Sequence, residues 1–288
     1  MFDLLFSPFV EFAFMRRALV GCLALALGAT PIGIFLMLRR MSLMGDAMSH
    51  AVLPGAAFAY LISGLSLAAM TVGGIIAGLT VALLSGVVAR TTVLREDTSL
   101  AAFYLISLAL GVLLVSLGGN SIDLLHVLFG SVLALDNATL YLVASMTTIT
   151  IFALSLIYRP LVMECVDAGY LRSVSQLSPV AHYGFLVLVV INLVAGFHAL
   201  GTLMAVGIMI LPAAAARFWA RNIGTMIFTA VIIAVLAGYS GLLLSYYAGV
   251  PSGPAIILML GAIYIFSILF ARDGVITQRL RTTRHLEA

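Results

Sequence analysis

The chain contains no lysine. All 14 of its basic residues are arginines, and charged residues make up only 9% of the 288 positions. Soluble domains carry about 25% charged residues, so a solvated surface all round is excluded. The missing lysine excludes a standard ATPase motor. The loop Gly-x-x-x-x-Gly-Lys needs its Lys to reach nucleotide phosphates, so any ATP hydrolysis coupled to this chain falls to another subunit. Cysteine is scarce too. Cys22 and Cys165 give no metal-type spacing and no disulfide framework. Cys22 reads as lipid-facing or packed, and Cys165 as a loop residue without a function. A net charge of +3 is too small to indicate nucleic acid. No His-Glu-x-x-His motif occurs, and no Ser-His-Asp set is confined to one face. The start, Met1-Phe2-Asp3-Leu4-Leu5-Phe6, lacks the basic region of a cleaved signal peptide. Residues 1–17 read instead as a short interfacial segment leading into the first span.

What is present is apolar surface. At 63% hydrophobic residues, the surplus over any soluble core has to face lipid. Apolar runs broken by charged or Gly/Pro-rich joints predict an all-α, polytopic membrane domain over 18–271 and a tail over 272–288. Nine segments are expected near 18–38, 43–63, 67–89, 98–118, 139–158, 182–198, 201–216, 224–247 and 253–271. The sixth and seventh are short, and counting them as one span plus a broken piece gives eight. The joints after spans one, three, five and seven hold Arg39/Arg40, Arg90/Arg95, Arg159/Arg172 and Arg217/Arg221, and the tail adds four more. Only Arg16 and Arg17 fall on the other side. The positive-inside rule then puts the Arg-rich side and the C-terminus in the cytoplasm and the N-terminus outside. Glycines such as Gly74 and Gly78 read as helix-packing residues.

One constellation is expensive. In Met41-Ser42-Leu43-Met44-Gly45-Asp46-Ala47-Met48-Ser49-His50, Asp46 and His50 are one helical turn apart on one face. A helix starting near Met41 carries them roughly 8 and 14 Å inward. An ionised Asp at a membrane helix centre costs about 2.5–3.5 kcal/mol on insertion scales, so such a group is usually paired, hydrated or functional. A carboxylate with an imidazole makes half a site for a divalent transition metal. Two ligands are too few for a closed structural site, which suits an ion that must leave again. Two copies of the helix facing each other across an axis would supply four. The competing account is an Asp–His pair that only ties helices together.

Other candidates carry less. Asp123 and His126 are three apart in a segment expected on the outer side, where they either help an incoming ion or form a solvated turn. His198, at the joint of spans six and seven, either lines the outer mouth or is an ordinary interfacial His. His182 and His285 read as unspecific. Pro212 is expected to break or kink the seventh span, and Met41, Met44 and Met48 read as packing.

The stretch from Arg39 to Gly55, with its Gly45-Asp46-Ala47-Met48-Ser49-His50 core, resembles the signature of the permease subunits of ABC importers for zinc, manganese and iron. So do residues 201–216, Arg95-Glu96-Asp97-Thr98, Leu128-Phe129-Gly130 with Leu133-Ala134, and Pro251-Ser252-Gly253-Pro254, in family order along nearly the whole chain. The resemblance implies a non-enzymatic transport subunit of a bacterial inner membrane, without a permanent cofactor. It implies a second permease copy, a cytoplasmic ATP-binding subunit dimer and an extracytoplasmic metal-binding protein. It points to Asp46 and His50 as ion contacts. It also implies a short ATPase-docking helix over 164–178, where Glu164, Asp167, Ala168, Gly169 and Arg172 stand. Residues 196–217 look most like zinc permeases, so zinc is the expected cargo and manganese the next. A proton-coupled secondary metal transporter is the rival.

Overall fold

The structure, a computed structural model, describes residues 2–64, 66–117, 135–272, 274, 275 and 277. Among these residues the regular structure is all helical. In chain order the helices are α1 (Phe2–Glu11), α2 (Ala13–Leu38), α3 (Met44–Ala51), α4 (Leu53–Ser63), α5 (Leu67–Thr91) and α6 (Glu96–Leu117). There follow α7 (Asn137–Val166), α8 (Ala168–Val174), α9 (Leu177–Leu200), α10 (Thr202–Ala216), α11 (Ile223–Ala248) and α12 (Ser252–Phe270). Seven of them, α2, α5, α6, α7, α9, α11 and α12, are long and apolar enough to cross a membrane.

The helices are apolar all round, so composition alone does not say which face points inward. Packing does. α2 and α9 form the middle of the bundle, with α7, α10 and α11 against α2 and α5, α7 and α10 against α9. Around them the large apolar side chains point out: Val72 and Ile76 on α5, Ile106 and Val112 on α6, Phe152 and Leu156 on α7, Phe228 and Leu236 on α11. Such a surface is stable only in hydrocarbon.

All nine expected segments appear as helix, with differences at their ends and in one interior. The second, over 43–63, is two helices. Pro54 has no N–H to give to the carbonyl of His50, and its ring crowds that carbonyl, so the helix breaks after Ala51. The carbonyl of Ala51, at this break, accepts from Ser107 Oγ of α6 at 3.0 Å. The fifth segment runs on to Val166, which places Cys165 in a helix rather than in the loop expected for it. The sixth begins at Leu177, so His182 lies inside α9. α10 has 15 residues, retains Pro212 within it, and starts after Gly201, whose φ of 83° only glycine adopts freely.

Close backbone approach ties the bundle. A Cβ on Gly33 of α2 would overlap the backbone carbonyl of Met209 on α10, and Gly55 of α4 and Gly73 of α5 meet backbone to backbone. Val52, at the α3–α4 break, sits against Gly74 and Gly78 of α5. Inside, Asn192 Nδ2 donates to Thr150 Oγ1 and to the Leu188 carbonyl, both at 2.8 Å, so its amide is satisfied without water.

Gly33→Ala is therefore expected to lower the melting temperature of the detergent-purified chain, because the overlap is with backbone that cannot swing aside. A cost of about 1–3 kcal/mol follows from overpacking. Gly261→Ala on α12, where an added Cβ meets nothing within 4 Å, is the control and should be neutral or slightly stabilising. Equal melting temperatures for the two variants would contradict the packing of α2 on α10.

Candidate functional site

α3 is short and two-faced. Met44, Ala47, Met48 and Ala51 are buried, and Gly45 lies against Val206, Met209 and Ile210 of α10. The methionines at 41, 44 and 48 are packing residues, as expected. Asp46 and His50 occupy the other face. Asp46 is in the first turn and His50 in the last, each at the end of the helix dipole that favours its charge. Their nearest atoms, Asp46 Oδ1 and His50 Nε2, are 3.9 Å apart. Two ligands on one late first-row cation stand about 3.0–3.4 Å apart, so a small rotation of either side chain closes on an ion.

Neither side chain is sealed between helices. The Asp46 side chain is 69% exposed and that of His50 41%. Asp46 also borders a cleft of about 350 Å³ whose other walls include Arg40, Ser42, Asp97 and Tyr104. An exposed carboxylate and imidazole are ordinary in water. Facing lipid, they would need water, a cation or another protein surface beside them.

Among the described residues no group of three or more His, Cys, Asp or Glu side chains is placed to hold an ion. His198 does not join Asp46 and His50. Its Nδ1 lies 2.9 Å from the Val194 carbonyl, to which it donates, and its Nε2 faces Thr71 Oγ1 at 3.5 Å. This is the opposite end of α9 from His182. Asp123 and His126 lie outside the described residues. Nearby, Asp136 caps α7 by accepting from the Thr139 amide at 2.8 Å, and its hydrogen bonds with Thr139 hold its carboxyl below the usual range.

The expected docking segment is partly a helix of its own. α8 has seven residues, and Asp167 caps it by accepting from the Tyr170 amide at 2.9 Å. Gly169 and Tyr170 are exposed, Ala168 opens the helix and Arg172 lies within it. A cleft of about 360 Å³ between α7 and α8 is lined by Arg159, Met163, Tyr170, Leu171 and Val174. Glu164 differs from the rest of that set. It belongs to the last turn of α7, its side chain is 2% exposed, and Oε1 lies 3.8 Å from Arg90 Nη2 of α5.

Glu164 is part of a cluster that the sequence reading missed. At one end of the bundle Arg39, Arg90, Glu96, Glu164 and His182 come together beside a cavity of about 620 Å³ that Arg40 and Arg95 also line. His182, read as unspecific, is 3% exposed and sits 2.6 Å from Arg39 and 3.4 Å from Glu96. The arginines had been visible only as markers of one membrane side. The signal available was that joints on the same side must meet in space.

The apolar, many-helix bundle defines an integral membrane protein. The chain belongs to the ABC 3 transport family, whose model matches residues 11–271. It is 30% identical over 261 residues to the manganese import system permease protein ScaB of Streptococcus parasanguinis, covering 91% of this chain and 92% of ScaB. It is 29% identical over 273 residues to a Haemophilus influenzae membrane protein named for iron transport, covering 94% of this chain and 98% of that one. Among solved structures, PsaBC from Streptococcus pneumoniae in complex with Fab superposes with a TM-score of 0.84 at 28% identity, over 98% of this chain and 100% of that chain.

The two acid–base pairs should behave differently on substitution. Glu164→Ala leaves the Arg90 charge largely buried without its partner, which costs about 3 kcal/mol and should lower the melting temperature. Asp46→Ala removes an exposed side chain and should change stability by no more than about 0.5 kcal/mol. Thermal unfolding of both variants in detergent checks this. A fold that depends on Asp46 as much as on Glu164 would make the α3 pair a helix tie.

Proposed function

We propose that the chain is the permease subunit of an ATP-driven importer for a divalent transition metal, manganese first, and that the ion passes Asp46 and His50 between two copies of the chain. The observation that carries this is the outward placement of both side chains on a membrane segment. Lipid would leave the carboxylate unsolvated. A second copy related by a two-fold axis would answer α3 with α3 and bring two carboxylates and two imidazoles around one cation.

Zinc, the cargo expected from imidazole chemistry and from residues 196–217, gives way to manganese here. Carboxylate oxygens suit manganese as well as imidazole suits zinc, so the donor set admits both. The manganese name of ScaB over most of both chains supports manganese. The relative named for iron transport supports ferrous iron as a second cargo. The partners of this reading are a cytoplasmic ATP-binding subunit dimer and an extracytoplasmic metal-binding protein in a bacterial inner membrane. α8, short, capped and largely turned outward, is the segment offered to the ATPase. The Arg-rich end is the cytoplasmic one. ATP binding and hydrolysis in the partners rock the two permease halves and alternate the access of the site.

Uptake into vesicles holding the full complex tests the reading. Asp46→Ala and His50→Ala should each reduce manganese uptake by at least about tenfold to a hundredfold while the ATPase still assembles, the scale on which loss of even an outer-shell partner of a metal ligand acts. Acid should weaken uptake, because imidazole binds metal only when neutral. Wild-type rates in both variants would remove the site. Uptake by the lone chain, driven by a proton gradient without ATP, would replace the importer with a secondary transporter. Comparing manganese, ferrous iron and zinc as stimulants of the partner ATPase ranks the cargoes.

A further inference from the structure

The buried cluster at the Arg-rich end has a chemistry that the ion site does not use. Arg39 caps α2, and the turn after it is wound tightly. The Met41 amide donates to the Leu36 carbonyl at 2.8 Å and the Arg40 amide to Met37 at 3.0 Å, which forces Arg40 to a φ of 59°. Three residues after Met41, α3 begins and leads to Asp46. The Arg39 side chain holds this turn to α9. Its guanidinium lies over the Phe185 ring at 5.3 Å, and Nη2 is 2.6 Å from Nδ1 of His182.

A guanidinium can only donate, so Nδ1 of His182 accepts. The ring proton is then on Nε2, which faces Glu96 Oε1 of α6 at 3.4 Å. In this tautomer, neutral His182 joins the α2–α3 turn to α6 through α9. A proton added at Nδ1 from the aqueous phase would set an N–H donor and a second positive charge against Arg39 at a 3%-exposed position. The charged and titratable groups around the ring are Arg39 and Arg40 from the α2 end, Arg90 from α5 and Arg95 from the joint after it. Glu96 faces it from α6, Glu164 and Cys165 from α7, and Tyr183 from its own helix. Arg90 lies over Tyr183 at 5.1 Å and 3.8 Å from Glu164, so it is not free to replace Arg39 without opening its own contacts.

We propose that His182 is a positioning residue for transport: neutral, it clamps the turn that leads into α3, and protonated, it lets that turn go. Its consequence for transport rests on the permease reading above, while the clamp itself does not. Cys165 is a built-in reporter, since it is half-buried in the wall of the same cavity, whereas Cys22 is buried.

The test is the rate at which N-ethylmaleimide alkylates Cys165 in the full chain in lipid nanodiscs, with Cys165→Ser as the blank. His182→Gln keeps one acceptor and one donor but does not titrate. At about pH 8 it should label at the wild-type rate, and His182→Ala about tenfold faster, the change expected when one charge-assisted hydrogen bond is lost. As the pH falls from about 8 to about 5 the wild-type rate divided by the His182→Gln rate should rise about tenfold. A flat ratio overturns the proposal, whatever His182→Ala does. So does His182→Gln labelling as fast as His182→Ala at the higher pH. Manganese uptake is measured separately: its absence in wild type counts against the permease reading and leaves the labelling result standing.

Discussion

A carboxylate on the outer face of a membrane helix cannot be left to hydrocarbon, and that constraint organises this molecule around Asp46. Everything near it is arranged to keep the acid outward and the rest of α3 inward. Gly45 lets the helix lie on Val206, Met209 and Ile210. Met44 and Met48 fill the space below. His50, one turn on, completes the polar face. Had the pair been turned toward the bundle, it would have been a helix tie like Glu164 with Arg90. Its outward placement leaves the pair open to an ion or to a second protein surface.

The break after Ala51 belongs to the same arrangement. A straight helix over 43–63 would carry one continuous face from the Arg-rich end to the other. Pro54 divides it, so α3 presents its polar face independently of α4. α4 is fixed to α5 by the meeting of Gly55 with Gly73. At the break the Ala51 carbonyl is met by Ser107 of α6.

Much of this was legible in the sequence because hydrocarbon is a demanding solvent. The apolar runs located every segment, and the spacing of Asp46 and His50 placed both on one face. Segment ends were less legible, since a helix can extend beyond the membrane at little cost. α7 runs eight residues past its expected end at 158 for this reason. The break at Pro54 is readable from the proline alone, although the apolar run from Ala51 to Ile62 continues through it. His182 was out of reach of one-dimensional reasoning, because its partners, Arg39 and Glu96, stand 143 and 86 positions away and meet it only in the fold. A likeness in motif also carried the family further than the cargo, since the same donors serve more than one metal.

The contact of Gly33 with the Met209 backbone has a mechanical consequence. Two helices whose main chains touch have no compressible layer of side chains between them, so neither can roll or slip along the other without a collision. α2 and α10 therefore travel as one strut, and α3, resting on α10 through Gly45, is carried at one end of it. Rearrangement is easier on either side of α3, at the turn before it and at the seam with α4, where a proline has removed a rung.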